Sequence, residues 1–283
     1  MNGFTSKGGG AMGIMLKIDA SVMTTKGDIR TKNEDNYYFN GAFMKKDSVT
    51  DPLCISTKTS DQQFIFAVCD GMGGEQFGEE ASFLAVQSLH EFYKKNFQTC
   101  TILSDLKESI DNHIKKTNKL IYEQSLSLGK RMGTTLASIV FCRDRAMSVN
   151  IGDSRVYLLR NSNLTKLTTD HTEAERLIRL GVLNSYTARF HRSKDILTRY
   201  LGINPSLGIM EADYSDELTV LRGDTYLVCS DGLSNFLTDE EIKFHLSIAN
   251  TSASICKDLI DLALGNYGTD NVTVSVIKIL DIV

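Results

Sequence analysis

The sequence predicts an α+β protein with antiparallel strands, and three observations carry that prediction. Thr134–Phe141, Arg145–Ile151 and Val156–Arg160 are short strand-like runs in close succession, with tight polar turns at Gly152-Asp153-Ser154-Arg155 and Asn161-Ser162-Asn163. That is a meander. The chain does not alternate strand and helix as a parallel sheet does. Two apolar runs, Phe64–Val68 and Tyr226–Cys229, each lead into an Asp-Gly pair, Asp70-Gly71 and Asp231-Gly232, before a helical pattern begins.

Residues 1–15 read as a flexible leader, with Gly8-Gly9-Gly10 and Gly13 and no periodicity. One domain, 16–283, follows. Leu16–Thr25 alternates weakly and reads as a strand. Gly27–Asn36 is a polar, turn-forming decapeptide, and Tyr37–Phe43 is an aromatic strand. Lys45–Gln63, polar and holding Pro52, reads as a loop. Past Gly74 the period changes. Ala81, Leu84, Ala85, Ser88, Leu89 and Phe92 share one helix face, as do Leu103, Leu106, Ile110, Ile114, Thr117 and Ile121.

After the meander, Thr172–Leu180 reads as a short helix stopped by Gly181. The stretch 172–205 is a flap inserted between strands, with a basic cluster of Arg189, His191, Arg192 and Lys194. It carries neither of the Asp-Gly strand ends, Asp70-Gly71 and Asp231-Gly232. Leu218–Leu221 and Tyr226–Cys229 are strands. Thr238–Ile248 is a helix opened by a capping box between Thr238 and Glu241. Ser252–Leu264 is a further helix, and Val272–Leu280 is the final strand.

Of 283 residues, 42% are hydrophobic and 23% charged, the composition of a folded domain and not of a disordered chain. A net charge of −4 without a long basic run argues against nucleic acid or an anionic membrane as partner. No apolar run approaches the ~20 residues of a membrane-crossing helix, and no signal-peptide core is present. A cytoplasmic location is expected. Cysteines 54, 69, 100, 142, 229 and 256 show no CxxC spacing and read as reduced, buried, small hydrophobes.

Asp70, Asp231 and Asp270 each lie where an apolar strand meets a glycine-bearing turn, and Glu34-Asp35 sits in a strand-bounded turn. Each of these alone also fits a helix cap or a solvated turn. As a set they are oxygen donors without His or Cys, which select hard cations such as magnesium or manganese. Several carboxylates can hold two such ions about 4 Å apart, the arrangement used in phosphate-ester hydrolysis. Arg30 has the forked shape that suits a phosphate.

The ordered set Arg30-Thr31-Lys32-Asn33-Glu34-Asp35, Asp70-Gly71-Met72-Gly73-Gly74, Gly133-Thr134-Thr135, Gly152-Asp153-Ser154-Arg155, Ser230-Asp231-Gly232-Leu233 and Asp270-Asn271-Val272-Thr273 resembles the metal-dependent protein phosphatase family, phosphatase 2C. The resemblance runs from Ile18 to Leu280 and is strongest to compact bacterial members. It implies a four-layer α-β-β-α sandwich, two stacked antiparallel sheets flanked by helices. It implies hydrolysis of phosphoserine and phosphothreonine in proteins, in one step, by water activated between two Mn2+ or Mg2+ ions. A bacterial Ser/Thr kinase and its substrates would be the partners.

The same resemblance implies roles. Asp70 would bridge both ions, the Gly71 carbonyl would bind one, and Asp231 and Asp270 would complete the other. Glu34 and Asp35 would act close to the ions. Asp153, with Asp231, would form a weaker third site. Arg30 would hold the phosphate, and Asn271 and Gly73 would support the site. Met72 stands where many eukaryotic members have a general-acid His, and Met has no proton to donate. His171 and His191 could serve only if the fold brought them in, and His171 reads first as a turn histidine. Two other readings stand beside this one. One is a catalytically weak phosphoprotein-binding module, although all the matching acids are present. The other is a small-molecule phosphoesterase.

Overall fold

The computed structural model describes residues 13–283 apart from 47, 49, 74–76, 98–101, 208–209 and 249. Of the expectations above, residues 1–12 of the leader, Gly74 and Cys100 lie outside the described residues. The chain runs β1 (Leu16–Thr25), β2 (Asn36–Phe39), β3 (Ala42–Phe43), β4 (Leu53–Asp61), β5 (Gln63–Cys69), β6 (Gly71–Met72), α1 (Phe77–Phe92) and α2 (Leu103–Leu128). It continues through β7 (Gly133–Thr134), β8 (Leu136–Cys142), β9 (Arg145–Ile151), β10 (Arg155–Arg160), β11 (Asn163–Lys166), α3 (Glu173–Arg179) and α4 (Ser185–Ala188). It closes with β12 (Asp213–Tyr214), β13 (Leu218–Thr219), β14 (Thr225–Cys229), α5 (Asp231–Ser234), α6 (Asp239–Ser247), α7 (Ser252–Gly265) and β15 (Val272–Ile282).

Two large antiparallel sheets form the middle. One has the order β11-β10-β14-β15-β1-β4, and the other β12-β9-β8-β5-β2-β3, with β13 also on β9. The strand period of two explains the layers. In β5, Phe64, Phe66 and Val68 pack between the sheets with Ile18, Val22, Ile139 and Ile277. The intervening Ile65, Ala67 and Cys69 pack on the other face with Ala81, Ala85, Ile114 and Ile121 of α1 and α2. In β14, Tyr226 and Val228 face inward while Leu227 and Cys229 meet Ile242, Ile255 and Leu259 of α6 and α7. Strands buried on both faces read as continuous apolar runs. The result is the α-β-β-α sandwich.

The structure corrects several boundaries. Residues 53–61, expected to be loop, form β4 on the edge of a sheet beside β1. Its first residues alternate half-buried and exposed and the rest are exposed, so edge position and polar composition hid the strand. Tyr37–Phe43 is a hairpin that turns at Asn40 and Gly41, both at positive φ (43° and 106°). Thr134–Phe141 breaks at Thr135, leaving Gly133–Thr134 paired with Gly71–Met72. Leu218–Leu221 narrows to Leu218–Thr219. Cys69, Cys142, Cys229 and Cys256 are buried, whereas Cys54 is exposed on the edge strand. The helix start at Thr238 has the expected capping box with Glu241.

Candidate metal centre

Register gathers the acids at one end of the sandwich. In one sheet Asn36 opposes Cys69 and Leu136 opposes Ile151, which aligns Asp35, Asp70 and the turn after β9. In the other, Arg155 and Val274 flank Cys229, which aligns Asp153, Asp231 and Asp270. A cleft of about 570 Å³ opens between these ends, lined by Arg30, Glu34, Asp70, Gly71, Gly73, Asp153, Asp231 and Asp270. Met72 and Thr135 also line it.

Asp35 and Asn271 stand behind that surface. Asp35 is buried, and its Oδ2 accepts hydrogen bonds from Ser230 Oγ and Thr273 Oγ1, both at 2.7 Å. The Asn271 amide holds the Arg30–Glu34 turn. Its Oδ1 accepts the Glu34 N–H at 2.8 Å, and its Nδ2 donates to the carbonyls of Lys26 (3.1 Å) and Lys32 (2.9 Å). Asp70 is fixed through its backbone. Its carbonyl accepts from Thr135 N–H and Thr134 Oγ1, and its N–H donates to Thr135 Oγ1, all at 2.9 Å. Gly71 must be glycine because a Cβ there would lie 2.2 Å from the Gly78 carbonyl oxygen and 2.5 Å from that of Glu34.

A family profile described as Protein phosphatase 2C matches residues 45–260, most of the chain. This chain belongs to the protein phosphatase 2C family. The serine/threonine phosphatase stp of Listeria monocytogenes is 34% identical over 265 residues, covering 92% of this chain and 95% of its own. Mycobacterium tuberculosis PstP is 32% identical over 274 residues, 95% of this chain and 46% of its own. Among solved structures, the S. agalactiae serine/threonine phosphatase has a TM-score of 0.79 at 27% identity, covering 93% of this chain and 99% of that one. The catalytic domain of PstP in complex with two manganese ions has a TM-score of 0.75 at 30% identity, covering 94% and 100%.

In this phosphatase 2C the acids repel one another. Burial, then the charges of Asp35, Asp231 and Asp153, push the Asp70 carboxyl well above the usual carboxylate range. Burial, then Asp231 and Asp170, does the same to Asp153. Asp231 rises through burial and then Asp270. Burial lifts Asp35 to about 7 against the pull of its two hydroxyl partners. Burial also raises Glu34, although Arg30 opposes it. Arg30 itself pairs with Asp270, Nη2 to Oδ2 at 2.9 Å.

Among the described residues, no three carboxylate, imidazole or thiol groups enclose a single point. Hard divalent ions do not need such a cage, because they keep several waters and take one or two carboxylates. An all-oxygen set of crowded, mutually repelling carboxylates, with Gly71 lining the same cleft, fits Mn2+ or Mg2+ and not a soft metal.

Several cleft residues escaped the sequence reading. Asn235 donates to Asp231 Oδ2 at 2.9 Å, and its position four residues on was a readable helical spacing. Asp195 also lines the cleft, beside Lys194 of the flap's basic cluster. The fold places them by closing the flap through a Thr172–Leu197 bridge. Of the other flap cations, Arg189 donates to the Leu237 carbonyl at 3.2 Å. Among the described residues no histidine lines the cleft. His191 shares a 2.7 Å hydrogen bond with Ser193, and both ring nitrogens of His171 are engaged elsewhere.

Proposed function

We propose that the cleft takes a phosphoserine or phosphothreonine side chain of a protein and hydrolyses it in one step with two Mn2+ or Mg2+ ions bound. The chain is a metal-dependent serine/threonine protein phosphatase. The observation that carries the reading is the convergence of Arg30, Glu34, Asp70, Gly71, Asp153, Asp231 and Asp270 on one cleft from turns far apart in sequence.

Asp70, the Gly71 carbonyl, Asp231 and Asp270 hold the two ions. Glu34 and the buried Asp35 support them from the side of the first turn, and Asp153 serves a weaker third ion. When bound, the ions supply a water acidic enough to attack phosphorus near neutral pH. Arg30, half-exposed at the rim and now on Asp270, turns its fork to the phosphate oxygens and neutralises charge as the transition state forms. Asn271 keeps Arg30 and Glu34 in register with Asp270. Met72 cannot protonate the leaving alkoxide, so a water or another group of the cleft must do so.

Phosphoproteins are the substrates, and a bacterial Ser/Thr kinase, in the cytoplasm, is the natural counterpart. No helix among the described residues is long and apolar enough to cross a membrane. The test is hydrolysis of a phosphoserine peptide with and without manganese. Manganese-dependent release of phosphate is expected. Metal-independent turnover would defeat the reading, and turnover of p-nitrophenyl phosphate alone would replace it with a small-molecule phosphoesterase.

A further inference from the structure

We propose that His171 is a positioning residue of this cleft, whose Nδ1 holds the Gly152–Arg155 turn and so fixes Asp153. The proposal rests on the reading of Asp153 as a metal-binding acid. His171 is only 2% exposed. The Gly152 N–H donates to its Nδ1 at 3.0 Å, and its own N–H donates to the Gly152 carbonyl at 2.9 Å. A ring nitrogen that accepts a backbone N–H carries no proton, so the proton is on Nε2, which donates to Asp213 Oδ2 at 2.9 Å.

The neighbouring residue secures the other end of the same turn. Asp170 accepts from Arg155 Nε at 3.1 Å and from Nη2 at 2.6 Å. Gly152 sits at φ +102°, a left-handed bend that needs pinning. Inside the turn, Ser154 Oγ lies 2.7 Å from Thr135 Oγ1, which also receives the Asp70 N–H. Hydrogen bonds at both ends of the Gly152–Ser154 backbone therefore link His171 to the backbone of Asp70. The His171 carbonyl also accepts the Thr198 N–H at 2.8 Å, where the flap rejoins the body. One residue thus joins the flap's root to the Asp153 turn.

A core histidine with no such role would leave the manganese response indifferent to which nitrogen is kept, and the two amide variants separate these cases. His171→Asn keeps an acceptor near the Nδ1 position. His171→Gln reaches the Nε2 position and leaves Gly152 without its acceptor. Manganese binding is measured by titration calorimetry on the full chain, alongside melting temperature and the manganese dependence of p-nitrophenyl phosphate turnover. The weakest manganese event is expected to weaken by about tenfold in the Gln variant and to stay within about threefold of the parent in the Asn variant. Equal responses in the two folded variants would overturn the proposal.

Asp153→Asn separates the two failures. An unchanged manganese response there removes Asp153 as a ligand, and the proposal with it. A shifted response there, with the two His171 variants alike, overturns only the role of His171. Should neither variant fold, the imidazole ¹⁵N spectrum of the unaltered protein still decides. It is expected to show His171 with Nδ1 unprotonated, and a protonated Nδ1 refutes the assignment.

Discussion

The wall that carries Asp35, Asp70 and Asn271 and the flap at 172–205 face the same cleft, but their bonds have different reach. In the wall, Ser230 and Thr273 bind Asp35 across 195 and 238 residues of chain, and Asn271 binds the Glu34 backbone across 237. In the flap most bonds are local. Thr172 caps Glu175, Asn184 and Thr187 cap each other, and Arg176 pairs with Glu173. Tyr186 and Phe190 stack edge-on at 5.6 Å while standing about three-quarters exposed. Long-range bonds break only when the domain unfolds, whereas local ones permit opening at low cost. On that difference we expect the chemistry to depend on the wall and the choice of protein substrate to depend on the flap.

The largest effect should come from the wall. Asp70→Asn or Asp231→Asn is expected to lower turnover by about a thousandfold, since each removes charge needed where the ions sit. The metal-free protein should melt no lower, because burial and like charges already oppose ionisation at both positions. Near-normal turnover at saturating manganese would break the assignment of chemistry to the wall.

At the rim, Arg30→Ala should raise KM for p-nitrophenyl phosphate by about tenfold, the scale of one charge-assisted hydrogen bond. Manganese affinity should not fall, because Arg30 competes with a cation for Asp270. A large loss of manganese affinity with unchanged KM would place Arg30 in the metal site instead.

In the flap, Arg189→Ala with Arg192→Ala should slow phosphoprotein turnover by about threefold, the modest effect of rim charges, and spare p-nitrophenyl phosphate. Equal losses on both substrates would mean that the flap supports the chemistry.

The smallest effect concerns Asp35. Its carboxyl rises from 3.8 to about 7 on folding. Between those values the folded protein binds a proton that the unfolded chain releases, so its contribution to stability is lost as pH rises through that window. The melting temperature of the metal-free protein should therefore carry a downward slope from pH 4 to 7 that Asp35→Asn makes shallower, the raised carboxyls of Asp70, Asp153 and Asp231 supplying the remainder. An unchanged slope in the variant would show that Asp35 is not held as the wall geometry requires.

Much of this was legible in the sequence because it is local. An apolar run leading into Asp-Gly announces a strand end with a carboxylate, and Asp70 and Asp231 are such ends. The capping box of Thr238 and Glu241 and the stop at Gly181 involve residues within one turn of each other. Only the tertiary structure decided that Asp35 turns inward onto Ser230 and Thr273 while its neighbour Glu34 lines the cleft. It also decided that residues 53–61 pair with β1, that Asp195 lines the same cleft as Asp70, Asp231 and Asp270, and that Arg189 rests on the Leu237 carbonyl. Turn chemistry and periodicity are set by neighbours a few residues away. Which side of a turn faces a cleft is set by sheet register and by hydrogen-bond partners hundreds of residues distant, and no local pattern encodes either.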